Sequence, residues 1–202
     1  FANIDPDTLC LDPEDVFKRI TSKTVGIVYV HMFGLIPKSF NIIKDHFNKN
    51  NLFIVEDAAN AHGASLSGVP AGSLGVAGCF SYYATKVLTS GEGGSITTND
   101  QDIYNRLLSL RNHGKSISNN NYNLVSNNYR MPEISCIIAS HQLSIIDEII
   151  EARQKIAFTY CNKLKNLNGM SLLKDFIDNP DCSYWRFPVY IDEKINRDEL
   201  QL

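Results

Sequence analysis

The sequence has 202 residues, enough for one sizeable hydrophobic core. Charged residues make up 20% and the net charge is -3, which leaves no basic footprint for nucleic acid. No apolar run approaches the ~18 residues of a membrane-spanning helix.

The first residue is Phe1 rather than Met, and Arg197 to Leu202 reads as the first turn of a helix. The expectation is an internal piece of a longer protein. The five cysteines, Cys10, Cys79, Cys136, Cys161 and Cys182, contain no Cys-x-x-Cys pair. An odd count at wide spacing argues against a disulfide framework or a zinc site, so no metal is expected. Free thiols fit a reducing cytoplasm.

Asp12 is a good helix N-cap, with Pro13 at the first helical position and Glu14 and Asp15 in the first turn. Val16, Phe17 and Ile20 give that helix its apolar stripe. Thr24 to Val30 is a β-branched run with little polar interruption, which predicts a parallel strand covered on both faces. It ends at the turn His31-Met32-Phe33-Gly34. Ser39 to Lys49 reads as a helix with Phe40, Ile43 and Phe47 on one face, and Leu52 to Val55 as the next strand.

Helix, strand, helix, strand in that order implies an α/β fold with right-handed crossovers. Ligands in such sheets collect beyond the carboxyl ends of the strands, where His31 and Asp57 both fall. Cys79 to Tyr83 and Ser95 to Thr98 predict two further strands. A helix follows through about Arg111, then a polar loop from Asn112 to Asn128. Loops of this length in a compact domain are usually functional or mobile. Pro132-Glu133 starts a helix that runs, with a kink, toward Leu164. Tyr184 to Ile191 reads as a strand opening a smaller unit.

The chemistry concentrates between Val55 and Thr98. The run Glu56-Asp57-Ala58-Ala59-Asn60-Ala61-His62-Gly63 places an acid at a strand end. Ser81-Tyr82-Tyr83-Ala84-Thr85-Lys86 places a lysine after a second apolar run, and Gly91-Glu92-Gly93-Gly94 follows. An ε-amine in a partly buried site near positive charge can act as a nucleophile and a proton carrier, although most lysines are surface residues. Glu56 should point to the opposite face from Asp57, because strand side chains alternate. Asp57 either faces a ligand or caps the following turn. The glycine run lacks a following Lys-Ser/Thr and leads into a strand, which rules out a nucleotide P-loop. His31 and His62 are weighed as hydrogen-bonded structural residues before ligands.

These runs resemble the sugar aminotransferases of the DegT/DnrJ/EryC1/StrS type. Their usual wording is close to Glu-Asp-Ala-Ala-Gln-Ala-His-Gly, Phe-Ser-Phe-Tyr-Pro-Thr-Lys and Gly-Glu-Gly-Gly. Asp5-Pro6-Asp7-Thr8, the His31-to-Gly34 turn, Arg111-Asn112-His113-Gly114 and Asn128-Tyr129-Arg130-Met131 match as well. The resemblance covers the chain from Phe1 to about Ile191. Departures are Asn60 for Gln, Ala84 for Pro, Val87 for Asn, and Ser126-Asn127 for Leu-Gly.

The resemblance implies a pyridoxal 5'-phosphate (PLP) transferase of fold type I. The fold would be α/β, a large domain with a mostly parallel seven-stranded sheet and a small C-terminal α+β domain. Residues 1–150 would belong to the large domain, without its N-terminal part. Residues 151–202 would form the connecting helix and the beginning of the small domain. Lys86 would be the Schiff-base lysine and Asp57 the partner of the PLP ring nitrogen. Asn60 would contact the ring oxygen or substrate, and Ser81 the phosphate. Asn128 would reach the phosphate in a neighbouring subunit, which implies a homodimer with shared active sites. Arg111 to Gly114 would border the substrate pocket.

The implied reaction moves an amino group, usually from glutamate, to a nucleotide-linked keto sugar in cell-surface polysaccharide or amino-sugar biosynthesis. Two alternatives stand beside it: a PLP-dependent sugar dehydratase of the same family, which carries His in place of the lysine, and a regulatory or binding protein on the same fold.

Overall fold

A computed structural model describes residues 1–116, 118–119 and 121–201, with the side chain of Gln201 left out. The end of the Arg197-to-Leu202 helical reading therefore lies outside the described residues. Arg197–Gln201 forms a 3-10 turn.

Helix α1 (Pro13–Arg19) starts where expected. The Asp12 side chain accepts from Glu14 N at 3.0 Å, and Pro13 gives up an N–H that the first turn could not have used. Strand β1 (Gly26–Val30) follows, then helix α2 (Phe40–Lys49) and strand β2 (Phe53–Asp57). Phe40, Ile43 and Phe47 fall on one face of α2 and are essentially inaccessible to water. Burial of each side chain contributes roughly 1.5–3 kcal/mol. Tyr29 from β1, Ile54 from β2 and Ala58 complete this core beneath the helix.

A small hairpin, β3 (Ser65–Leu66) and β4 (Val69–Pro70), leads to β5 (Ala77–Ser81) and β6 (Gly94–Thr97). The main sheet has the order β1-β2-β5-β6. β1, β2 and β5 are parallel, in register Val30 to Asp57 and Asp57 to Cys79, and β6 runs antiparallel to β5.

This corrects two expectations. The described residues hold a four-stranded mixed main sheet, not seven strands. The remaining extended segments pair locally, in β3–β4 and in β7 (Met170–Leu172) with β8 (Val189–Ile191). Nor is β1 covered on both faces. Tyr29 is buried under α2, but Val28 on the other face is 62% exposed.

Helix α3 (Gln101–Arg111) is capped by Asp100, whose carboxylate accepts from Asp102 N and Ile103 N. The polar loop after it folds back as isolated bridges, Lys115 to Tyr122 and Asn112 to Asn128. The long helical run is two helices, α4 (Glu133–Ser144) and α5 (Ile146–Leu164), broken at Ile145 (φ -118°, ψ 15°). No residue of α4 is buried, and Ile134, Ile137, Ile138 and Leu143 all face water.

The strand expected from Tyr184 is confined to Val189–Ile191. Tyr184 adopts φ +48°, Pro188 has no N–H to give a ladder, and Trp185 N donates to Phe33 O instead. That detour seals a second core of Leu35, Ala157, Leu173, Phe176, Cys182 and Tyr184. It also brings residues 183–185 against the end of the main sheet.

Candidate active site

Parallel pairing sets the carboxyl ends of β1, β2 and β5 side by side. After Asp57 the chain turns sharply. Ala58 N donates to Cys79 O at 2.9 Å, and Ala61 N to Ala58 O at 2.9 Å, which fixes Asn60 at the tip. After β5 a second turn, closed by Lys86 N to Tyr83 O at 2.9 Å, presents Lys86. The two turns meet where Lys86 Nζ donates to Asn60 Oδ1 at 2.7 Å. The shorter amide thus reaches the lysine directly.

Lys86 is half-buried. Removal from water pushes its amine below the ordinary lysine value, the Asp57 carboxylate opposes that shift, and the Arg186 guanidinium adds to it. The net direction is downward, as a nucleophilic amine requires.

Trp185 is a residue the sequence reading passed over. Its indole N–H donates to Thr85 O at 2.7 Å, and its ring centroid lies 4.4 Å from Lys86 Nζ. Ser183 Oγ donates to Asn60 O at 3.2 Å, and Arg153 donates to the carbonyls of Tyr184 and Trp185. The signal available was the chain's only tryptophan, inside a segment that reads as a strand.

Asp57 does cap its turn, accepting from Ala59 N at 3.1 Å, and it also acts electrostatically on Lys86. The two readings are compatible. Glu56 points the other way, as alternation predicts, and is fully buried. Its carboxylate accepts from Gly72, Leu74 and Gly75 N, each at 2.7 Å, and lies 2.8 Å from His31 Nε2. His31 is therefore a structural residue facing away from Lys86, although its backbone sits at a strand end. Ser81 Oγ accepts from Tyr83 N at 3.3 Å, and its O–H donates to no residue among the described residues.

His62 packs beside the rings of Phe80 and Tyr82, with centroids 5.3 and 5.9 Å away. It is buried, and neither ring nitrogen makes a hydrogen bond of ordinary geometry among the described residues. Burial, then the charge of Lys86, pushes it down to about 4 against a smaller upward pull from the Ser81 backbone, which favours the neutral ring.

Asn128 stands apart. It is exposed, and its Oδ1 accepts from Arg130 N at 3.0 Å. No hydrogen bond joins it to Asp57, Asn60, Ser81 or Lys86 among the described residues. The structure thus brings together Asp57, Asn60 and Lys86, with Ser81 at the end of the adjacent strand, and leaves Asn128 elsewhere. Arg111 to Gly114 lies at the end of α3, where Asn112 accepts from the Arg130 guanidinium. A groove of about 1040 Å³ between β6, α3 and α4 is lined by Ile96, Leu107, Met131 and Leu143, among others, and does not include Lys86. No group of His, Cys, Asp and Glu suited to a metal ion occurs among the described residues. No described helix is long and apolar enough to cross a membrane.

Known proteins resemble this chain in sequence and in fold. GDP-perosamine synthase of Vibrio cholerae is 32% identical over 204 residues, which cover 99% of this chain and 54% of that protein. A pleiotropic regulatory protein of Geobacillus stearothermophilus is 34% identical over 205 residues, 100% of this chain and 53% of that protein. Among solved structures, the E. coli GDP-4-keto-6-deoxy-D-mannose-3-dehydratase with bound hydrated PLP superposes with a TM-score of 0.89. It is 27% identical over 99% of this chain and 56% of that one. The chain spans about half the length of the curated relatives it matches. Residues 1–202 match the DegT/DnrJ/EryC1/StrS aminotransferase family, and the chain belongs to it.

Proposed function

We propose that this chain carries the lysine centre of a PLP-dependent aminotransferase that moves an amino group from glutamate to a nucleotide-linked keto sugar. The observation that carries this reading is Lys86: half-buried, with its amine pushed below the ordinary lysine value, bonded to Asn60 and within the field of Asp57.

The residues present fit the cofactor. Lys86 offers an amine that gives up its proton more readily than a surface lysine. Asp57 offers a carboxylate on the neighbouring strand end, and Ser81 a hydroxyl with its proton uncommitted. Buried His62, whose ring nitrogens make no hydrogen bond of ordinary geometry among the described residues, adds polar atoms at this end of the sheet. Bound PLP would supply an aldehyde for the amine and an electron sink for the substrate carbon.

In this reading Lys86 would hold the cofactor through its amine and carry a proton on Nζ. Asp57 would pair its charge with the ring nitrogen. Asn60 orients Lys86, and Ser81 would donate to the phosphate. Asn128 would serve a second copy of the chain, in a homodimer. The bare apolar side of α4 supports such a partner. We place residues 1–150 in the cofactor-binding domain and 151–202 in the connecting helix and start of a smaller one; the pairing of β7 with β8 in a sheet of their own supports that division. Five free cysteines support a cytoplasmic setting.

Similarity to a dehydratase and to a regulatory protein keeps both alternatives in view. A lysine at position 86, where dehydratases of this family carry His, favours amino transfer over dehydration. The intact set of Asp57, Ser81 and Lys86 favours catalysis over regulation alone. The test is to incubate the full-length protein with PLP, reduce it with borohydride and map the modified peptide. Cofactor fixed on Lys86, together with glutamate-dependent amino transfer that Lys86→Ala abolishes, is the expected result. Transfer retained by Lys86→Ala would sink the proposal.

A further inference from the structure

We infer that Arg186, presented on the indole of Trp185 beside Lys86, is the subsite that takes a carboxylate of the amino-acid donor. The inference rests on the aminotransferase reading and goes beyond it, because it assigns the donor a recognition residue.

The Arg186 guanidinium carbon lies 4.4 Å from the Trp185 ring centroid, and Lys86 Nζ is also 4.4 Å from that centroid. One aromatic ring therefore carries two cations. Repulsion between them opposes this arrangement, and Asp57 is the carboxylate whose field reaches Lys86. A second anion would relieve the excess positive charge.

Arg186 is available for that role. Arg19 is paired with Asp15, Arg130 with Asn112, and Arg153 with the carbonyls of Tyr184 and Trp185. The described residues place no carboxylate in ion-pair contact with Arg186, and its side chain is exposed. A guanidinium held with its carbon over a ring still has N–H groups to donate, and no hydrogen bond from Arg186 occurs among the described residues. Those groups match a carboxylate in a two-pronged bond, which a lysine cannot copy.

Its base is also fixed. Trp185 is held by its indole N–H to Thr85 O, by its backbone N–H to Phe33 O, and by the Arg153 guanidinium on its carbonyl. An α-amino acid places its amine and its carboxylate on one carbon, so a donor that brings its nitrogen to the Lys86 position carries an anion close by. Among the described residues, Arg186 is a cation without an ion pair that lies over the same ring as Lys86.

A nucleoside diphosphate is the competing occupant, and the test separates the two. Glutarate, a five-carbon dicarboxylate with no amine, and GDP are titrated calorimetrically into the full-length holoenzyme and into Arg186→Gln and Arg186→Lys. The expected result is a glutarate Kd raised about 10- to 100-fold in Arg186→Gln, a smaller rise in Arg186→Lys, and an unchanged GDP Kd. An unchanged glutarate Kd in Arg186→Gln, a wild-type protein that does not bind glutarate, or a loss confined to GDP would each overturn the inference. The aminotransferase reading is scored separately, by amino transfer in the wild type. Transfer with glutarate binding indifferent to Arg186 removes this inference alone. Arg186-dependent glutarate binding without transfer removes the reaction and leaves the subsite.

Discussion

Lys86 and Asn60 lie 26 positions apart and meet through one hydrogen bond, Nζ to Oδ1 at 2.7 Å. It ties the turn after β5 to the turn after β2, so the lysine is aimed by a residue on a different strand. A hydrogen bond from a charged donor contributes about 1.5–3 kcal/mol. Asn60→Ala should leave the fold intact and lower the rate of amino transfer about 10-fold or more, because Lys86 loses its fixed direction. Asn60→Gln keeps the amide and should lose less. Steady-state rates on the full-length protein check this, and equal losses in the two variants would contradict it.

The opposite face of the same strand makes a stability prediction. Burial would raise the Glu56 carboxyl, but the His31 hydrogen bond and the N–H groups of Gly72 and Gly75 outweigh it and hold it below the ordinary value. A depressed carboxylate contributes stability above its unfolded pKa, about 4.3, and loses it as pH falls through the folded value. Glu56→Gln should destabilise the protein at pH 7 by about 2–4 kcal/mol and flatten the acid limb of its stability profile. Denaturant melts from pH 3 to pH 7 measure both. An acid limb as steep as in the wild type would show that another group sets it.

Much of this was legible in the sequence, because the signals were local. Asp12-Pro13 and Asp100 cap helices by contacts within three residues, and Phe40, Ile43 and Phe47 declare a buried face by spacing alone. Alternation separated Asp57 from Glu56 correctly. What stayed hidden depends on contacts distant in sequence. The indole of Trp185 bonds a carbonyl 100 positions earlier, and Ser183 reaches Asn60 across 123. No periodicity encodes such closures. The Tyr184 strand failed for the same reason, since the Trp185 N–H was taken by Phe33. Residue 128 could be matched by wording, yet within this chain nothing places it beside Lys86.

Gly34 offers a probe of that distant closure. It adopts φ +89°, and a Cβ there would lie 2.2 Å from Ser183 Oγ and 2.9 Å from Asn60 O. Left-handed backbone alone costs an alanine roughly 1–2 kcal/mol, and the Asn60 carbonyl cannot rotate away as a side chain can. Gly34→Ala should destabilise by about 2–4 kcal/mol and, by displacing the Asn60 turn, also weaken PLP retention. Thermal melts and cofactor content after dialysis read the two effects. A melt matching the wild type would mean that the turn adapts freely.

The electrostatics of Lys86 can be tested without turnover. Acetylation by an amine-directed reagent, followed by peptide mass spectrometry across pH in PLP-free protein, reports the midpoint at which Lys86 loses its proton. Burial lowers that midpoint, Asp57 raises it and Arg186 lowers it. Wild-type Lys86 should therefore label at lower pH than surface lysines such as Lys18 and Lys155, which are 71% exposed. Asp57→Asn removes the favourable anion and should move the midpoint further down. Arg186→Gln removes the competing cation and should move it up. Opposite shifts from two substitutions are the signature of charges acting on one amine, whereas a loosened fold would expose Lys86 and move both variants upward together. A midpoint unaffected by either change would show that burial alone sets the reactivity of this lysine.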